Sequence, residues 1–282
     1  DSLPSRGLGD VYKRQANQRA IETHIHSRPE KEELPTSERI VIISQEACEG
    51  LDGTDSERII SEANKNLYEG APEHEIKEAL VLSARSLVEV EPNYTFATAR
   101  ILLDSLRSEG LGFLELAENA THAEMKELYP QALSSFIKKG IELELLNPEL
   151  ATYDLDRLGK AIKADKDLLF SYLGIQTLYD RYFIHSNEIR FELPQVFFMR
   201  VAMGLALNED NREERALEFY DLLSSFDYMS STPTLFNSGT MHSQLSSCYL
   251  TTVPDDLHGI YGALQDNACL LYTSPSPRDG RE

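Results

Sequence analysis

A chain of 282 residues is long enough to bury the core of one large domain or of two ordinary ones. Its 41% hydrophobic and 26% charged residues are the usage of a soluble globular protein, and no uninterrupted apolar run reaches the roughly 20 residues that span a bilayer, so no membrane partner is expected. Lys and Arg number 27 against 47 Asp and Glu; the net charge of −20 repels a phosphodiester backbone and argues against long nucleic acid, although a few local donors or a helix N-terminus can still hold a mononucleotide.

Residues 1–15 and 271–282 are rich in Ser, Pro, Gly and Arg without helical or strand periodicity and read as tails; VYKRQ and LYTSPSPRDGRE resemble translated cloning-adapter sequence, the alternative being ordinary disordered termini. Between them short helices are expected in succession. The first covers 40–49 and stops at Gly50, and the second opens at Asp55 or Ser56 and closes around Gly70. A third starts at Pro72 and lines up Ile76, Ala79, Leu80 and Leu87. After Pro92 the stripe of Phe96, Ala99, Leu103 and Leu106 predicts a fourth, broken by Gly110 and Gly112. From 118 to 225 the pattern stays helical, with Leu133, Phe136, Ile137 and Ile141 on one face and Ala216, Phe219, Tyr220 and Leu223 on another. Two β-prone runs, 182–184 and 189–191, flank His185 to Glu188 and predict a hairpin. Pro194 then opens a segment, 196–207, apolar almost all round and therefore a buried helix. Beyond Asp227, SSTPTLFNSGTMHSQLSSC reads as a loop feeding a strand through Tyr249 and Leu250, after which Asp255 or Asp256 caps a helix through Ile260 and Leu264.

Chemistry has few places to sit. Cys248 follows two serines in a loop-rich stretch, yet a free cysteine is more often a small buried hydrophobe. The hydroxyls of Thr232, Ser246 and Ser247 and the amides near Asn237, Ser238 and Gly239 can converge on a phosphate or sugar, or simply stabilise turns. His24 and His26 form the one close histidine pair and lack a third ligand, so no metal site is expected; GxGxxG and P-loop motifs are missing. The acidic run at 73–78 reads as a solvated helix face, and only three cysteines, Cys48, Cys248 and Cys269, suit a reducing cytoplasm.

STPTLFNSGT, then QLSSC, then VPDDLHGIYGALQDNA together resemble the opening of the catalytic barrel in the large subunits of ribonucleotide reductases. Upstream, EACEGL, LYEGAPEHEI and EPNYTFATARILL look like the ATP-cone that precedes that barrel, and RYFIHSNEIRFELPQVFF is similar to the family's helical N-terminal region, so the resemblance covers roughly residues 38 to 270. It implies a mainly α fragment: an ATP-cone-like domain at 16–112, a helical domain with a β-hairpin at 113–226, and at 227–270 the first strand of a truncated ten-stranded α/β barrel, flanked by the non-native tails 1–15 and 271–282.

The family reduces ribonucleotides to deoxyribonucleotides by radical chemistry, two electrons coming from a cysteine pair that a mobile thiol pair regenerates. By that resemblance Cys248 is the first redox-active thiol, Thr232, Ser247 and Cys248 bind the ribonucleotide substrate, and Asp255, Asp256 and Leu257 begin the site of a deoxynucleotide effector. The second thiol, the radical cysteine and its companions belong to later barrel strands, so this chain alone is expected not to turn over. Implied partners are a metal-containing small subunit that supplies the radical, thioredoxin or glutaredoxin, and a second copy in a homodimer at full length; ATP and deoxynucleotides are the effectors, and no cofactor is expected in this chain. The cone departs from its pattern: before Glu38 stands only RAIETHIHSRPEKEELPTS where a hairpin with a basic turn is usual, VYKR lies at 11–14, Glu73 and Lys77 replace Thr and His, and Ser108 replaces Lys. An acidic side chain near a triphosphate opposes binding, so the cone is expected to be weak or silent for ATP and dATP, an expectation that tight dATP binding in a calorimeter would overturn. A class I enzyme is favoured over a cobalamin-dependent one. A stand-alone ATP-cone regulatory module and a helical interaction protein remain as alternatives, but neither needs the cysteine in QLSSC.

Overall fold

The computed structural model describes residues 36–68 and 71–273. The tail 1–15, the VYKR stretch, the cone opening before residue 36 and the last nine residues lie outside the described residues. The core lies within the unit that begins at Ile40.

That core is built almost wholly from helices, each started and stopped by identifiable residues. Helix α1 (Thr36–Cys48) ends two residues before Gly50, whose φ of +68° suits a residue without a Cβ. Helix α2 (Ser56–Asn64) is capped by the Asp55 carboxylate, which accepts from the Glu57 amide; it stops at Asn64, well short of Gly70. Pro72 stands at the N-cap of α3 (Glu73–Ser86).

Helix α4 (Tyr94–Phe113) corrects the sequence reading: it runs through both Gly110 and Gly112. The cost of glycine in a helix, about 1 kcal/mol per residue, is offset here by tertiary packing. A Cβ on Gly110 would stand 3.1 Å from Leu193, so the bare backbone lets the hairpin segment approach. Helix α4 packs on α3 and also on α7 (Tyr172–Arg181), and the buried core therefore runs without a break across residue 112.

Next come α5 (Met125–Glu142) and α6 (Leu155–Ala161), which meet where Gly159 lies against Pro130. The expected hairpin is present but shorter: β1 (His185–Ser186) pairs antiparallel with β2 (Ile189–Arg190) in the register His185 opposite Arg190. Asn187 and Glu188 both have positive φ, 51° and 67°, the two-residue turn whose twist matches paired strands. Helix α8 (Pro194–Ala206) is buried nearly all round, as its composition demands, and lies against α9 (Arg212–Ser224). Phe191 stacks on Phe113 at 4.8 Å and tilts against Phe136 at 5.4 Å, joining the hairpin to α4 and α5.

Two expectations for the last third fail. STPTLFN is not a loop but a short helix, α10 (Thr232–Asn237), with proline in its first turn where a missing N–H costs nothing. No strand follows Cys248 among the described residues: 245–253 lack ladder pairing and lie mostly exposed, because a strand needs a neighbour to accept its backbone hydrogen bonds. Helix α11 (Leu257–Thr273) closes the described chain and extends three residues into the segment set apart as a tail. No helix among the described residues is long and apolar enough to cross a membrane.

Candidate functional site

The residues that sequence singled out gather around α10 and the loop that leaves it. Thr232 opens the helix and is exposed; its Oγ1 stands 3.1 Å from the Tyr182 hydroxyl. Two later residues of α10 hold the loop: Thr234 Oγ1 donates to the Leu245 carbonyl at 3.3 Å, and Asn237 Nδ2 to the Gln244 carbonyl at 2.7 Å. Gln244 Nε2 and the Tyr249 hydroxyl both donate to the Ser246 carbonyl at 3.1 Å. On this tethered turn Ser247 Oγ lies 3.8 Å from Cys248 Sγ, and both side chains are exposed. The thiol is thus not the buried hydrophobe that a free cysteine usually is.

Ser238 and Gly239, next to Asn237, pack into the scaffold. Ser238 is fully buried and donates to the Val201 carbonyl at 2.8 Å. Gly239, at φ +76°, sits so close to α8 that a Cβ on Gly204 would come within 2.2 Å of its nitrogen, which requires both glycines. Its carbonyl accepts from the Asn147 amide at 3.0 Å, and Thr240 bridges to Leu146.

Beneath this platform lies an ion pair that the sequence reading passed over. Arg200 projects from α8 with no exposure; its Nε donates to Glu192 Oε1 at 2.6 Å and its Nη2 to Glu192 Oε2 at 3.2 Å. The same guanidinium reaches the Ser238 carbonyl at 2.7 Å and the Leu235 carbonyl at 3.2 Å, the acceptors left open where α10 ends. Glu192 also accepts from the Ile184 amide at 2.9 Å, so hairpin, buried helix and α10 share one knot. A charged residue inside an otherwise apolar helix was the available signal.

The effector candidates lie beyond the thiol. Asp256 caps α11, its carboxylate accepting from the Gly259 amide at 2.9 Å. Asp255 and Leu257 are exposed beside it. The other cysteines differ from Cys248: Cys48 is half-buried, burial pushes its thiol up, and a hydrogen bond involving Thr54 only partly opposes that; Cys269 is exposed on α11.

A second buried polar cluster sits under the 3-10 turn Ala164–Leu169. Asp167, fully enclosed, accepts from the Tyr129 hydroxyl at 2.6 Å and from Gln195 Nε2 at 2.8 Å, while the Tyr220 hydroxyl donates to Gln195 Oε1 at 2.9 Å. Burial raises the Asp167 carboxyl above its ordinary range, against the opposing pull of Arg107 and the two donors. Among the described residues, no three His, Cys, Asp or Glu side chains gather closely enough to hold a metal ion.

Comparison with known proteins gives these residues a context. The family described as "Ribonucleotide reductase, all-alpha domain" matches residues 168–243, the stretch from the 3-10 turn to the loop below the thiol. The chain is similar to the "Ribonucleoside-diphosphate reductase subunit alpha" of Chlamydia trachomatis, 47% identical over 218 residues that make up 77% of this chain and 20% of the relative. It is 34% identical to the protein of the same name from Helicobacter pylori, over 80% of this chain and 27% of the relative. With the "Ribonucleoside-diphosphate reductase large subunit" of Danio rerio it shares 32% over 88% of this chain and 30% of that protein. The chain therefore spans between a fifth and a third of the length of these relatives.

Proposed function

The chain belongs with the large subunits of ribonucleoside-diphosphate reductases, and from that premise we propose that it supplies the helical lead-in and the first redox thiol of an enzyme that converts ribonucleotides to deoxyribonucleotides. The net reaction takes a ribonucleotide and two thiols to a deoxyribonucleotide, a disulfide and water, so the 2′-oxygen leaves as water and the two electrons come from sulfur. Cys248 is the first of those thiols in this reading. The observation that carries it is the exposed sulfur beside the Ser247 hydroxyl, on a loop tied to the helix whose first residue is Thr232. A buried thiol could neither reach a ribose nor exchange with an external reductant.

Thr232 and Ser247 bind substrate, and Asp255, Asp256 and Leu257 begin the effector site; of the two carboxylates Asp256 already caps a helix, which leaves Asp255 as the freer acceptor. The radical arrives from a metal-containing small subunit, thioredoxin or glutaredoxin restores the thiols, the large subunits pair as a homodimer, and the setting is the cytoplasm. One cysteine of the pair cannot close the cycle, so these 282 residues alone do not turn over. The cone-like segment is weak or silent for ATP and dATP. Supporting this, Lys77 Nζ lies 3.2 Å from Asp104 and 2.8 Å from Ser108 Oγ, and Ser108 lies 2.6 Å from Asn119 Oδ1, so groups expected near a nucleotide are engaged with one another.

The test is turnover of a nucleoside diphosphate by the full-length large subunit with its small subunit. Cys248→Ser is expected to abolish reduction with either dithiothreitol or thioredoxin, whereas Cys48→Ser retains it. Turnover by the Cys248→Ser enzyme would remove the basis of the assignment.

A further inference from the structure

We propose that Tyr182 is a positioning residue that makes the Thr232 hydroxyl a committed hydrogen-bond donor toward an anionic oxygen, that of a phosphoryl group. The inference rests on the reading that Thr232 touches substrate.

Tyr182 is firmly placed. Its amide donates to the Leu178 carbonyl at 2.9 Å at the end of α7, and the next residue, Phe183, is buried. Its ring stacks on Phe236 at 4.6 Å with 24° between the planes. Phe236 and Thr232 are four residues apart on α10 and so share a face, which carries the phenol over the first turn of that helix. The hydroxyl comes to 3.1 Å from Thr232 Oγ1.

Two hydroxyls at that distance share one proton between them. The phenol is the more acidic O–H and the better donor, and the alkyl oxygen of threonine is the better acceptor, so Tyr182 donates and Thr232 accepts. Threonine's own proton must then point elsewhere. Among the described residues no other partner of Thr232 Oγ1 is found, and the side chain is exposed, so that proton is offered outward. An alcohol that already accepts a hydrogen bond is polarised into a stronger donor. Its best complement is a charged oxygen, since a hydrogen bond to an ionised acceptor is roughly twice as strong as one to a neutral group. A phosphoryl oxygen meets that requirement better than a neutral ribose hydroxyl.

The experiment titrates the full-length large subunit with cytidine diphosphate and with cytidine, following ligand signals by NMR, for the wild type, Tyr182→Phe, Thr232→Val and the double variant. Tyr182→Phe keeps the ring on Phe236 and removes one oxygen, so melting is expected to be unchanged. Binding of the diphosphate should weaken by roughly threefold to tenfold, the worth of one hydrogen bond, with cytidine unaffected. Thr232→Val should weaken the diphosphate at least as much, and the double variant should be no worse than Thr232→Val, because Tyr182 acts through that hydroxyl. If Thr232→Val weakens binding and Tyr182→Phe does not, the inference alone is overturned. Additive losses would make Tyr182 a separate contact and also overturn it. No effect of Thr232→Val, or no binding of the diphosphate by the wild type, overturns both the inference and the substrate role of Thr232.

Discussion

Helices α8 and α11 are both apolar in composition, yet the fold treats them in opposite ways. In α8 every residue from Pro194 to Met203 is buried, and the one strong charge, Arg200, is met by a carboxylate and by backbone carbonyls. Among the described side chains of α11 only Ala263 is buried, while Leu257, Ile260, Tyr261, Leu264 and Leu271 stand exposed. Apolar composition states a demand for partners, and packing decides whether residues 40–256 meet it. They do for α8, which supports the platform, and they do not for α11, which follows the thiol. The candidate chemistry lies at the boundary between a fully satisfied region and an unsatisfied one.

Removing the charge that fixes the satisfied side should have the largest effect. Arg200→Ala leaves Glu192 enclosed without its cation and is expected to cost about 3–5 kcal/mol, read as a fall in the urea midpoint. Replacing both partners, Arg200→Met with Glu192→Leu, should recover most of that, although the carbonyls at Leu235 and Ser238 then lose their donor. A loss near 1 kcal/mol for the single variant would mean that apolar burial alone holds the platform, and the contrast between the two helices would be weaker than drawn.

A smaller effect, visible only as a function of pH, should come from Asp167. Its folded-state pKa is raised mainly by burial, so the folded state holds its proton more tightly than the unfolded chain does. The contribution to stability is therefore fully present below the unfolded pKa and is lost as pH rises through the folded one. Measured against Asp167→Asn, which cannot titrate, the wild type should lose relative stability across that window as pH increases. A difference that is flat or rises with pH would contradict the burial argument.

The smallest global effect belongs to the tether. Asn237→Ala removes the donor to the Gln244 carbonyl and should cost no more than about 1 kcal/mol overall, because the loop it holds is already open to water. Locally the change should be plain: amides of 244–248 exchange faster while those of α8 do not. If both sets accelerate together, the thiol loop and the buried helix form one cooperative unit and the boundary between them disappears.

What could be read from the residues was whatever periodicity or a cap encodes. The all-round apolar run after Pro194, the hairpin around Asn187 and the cap at Asp256 depend on neighbours within a few positions, and all three appear. Local propensity makes Gly110 and Gly112 helix breakers, but Leu193, more than eighty positions away, needs the space that Gly110 leaves, and the helix runs on through both. The strand through Tyr249 and Leu250, implied also by the resemblance to a barrel opening, does not form without a neighbour to pair with. In the candidate site the sequence pointed to Cys248, Ser247 and Thr232, while it was silent on Arg200 and Tyr182.

The sequence by itself settled the helical class and carried the resemblance to the reductase family, and it pointed to the residue types that chemistry would need, because these follow from composition, from periods of a few residues and from short contiguous motifs. Only the tertiary structure decided which polar groups hold the site in place. Glu192 and Arg200 are eight positions apart, Tyr182 and Thr232 fifty, and the carbonyls at Leu235 and Ser238 lie at the end of another helix. A buried charge selects its partners by distance and desolvation in three dimensions, and no local pattern in the chain records that choice.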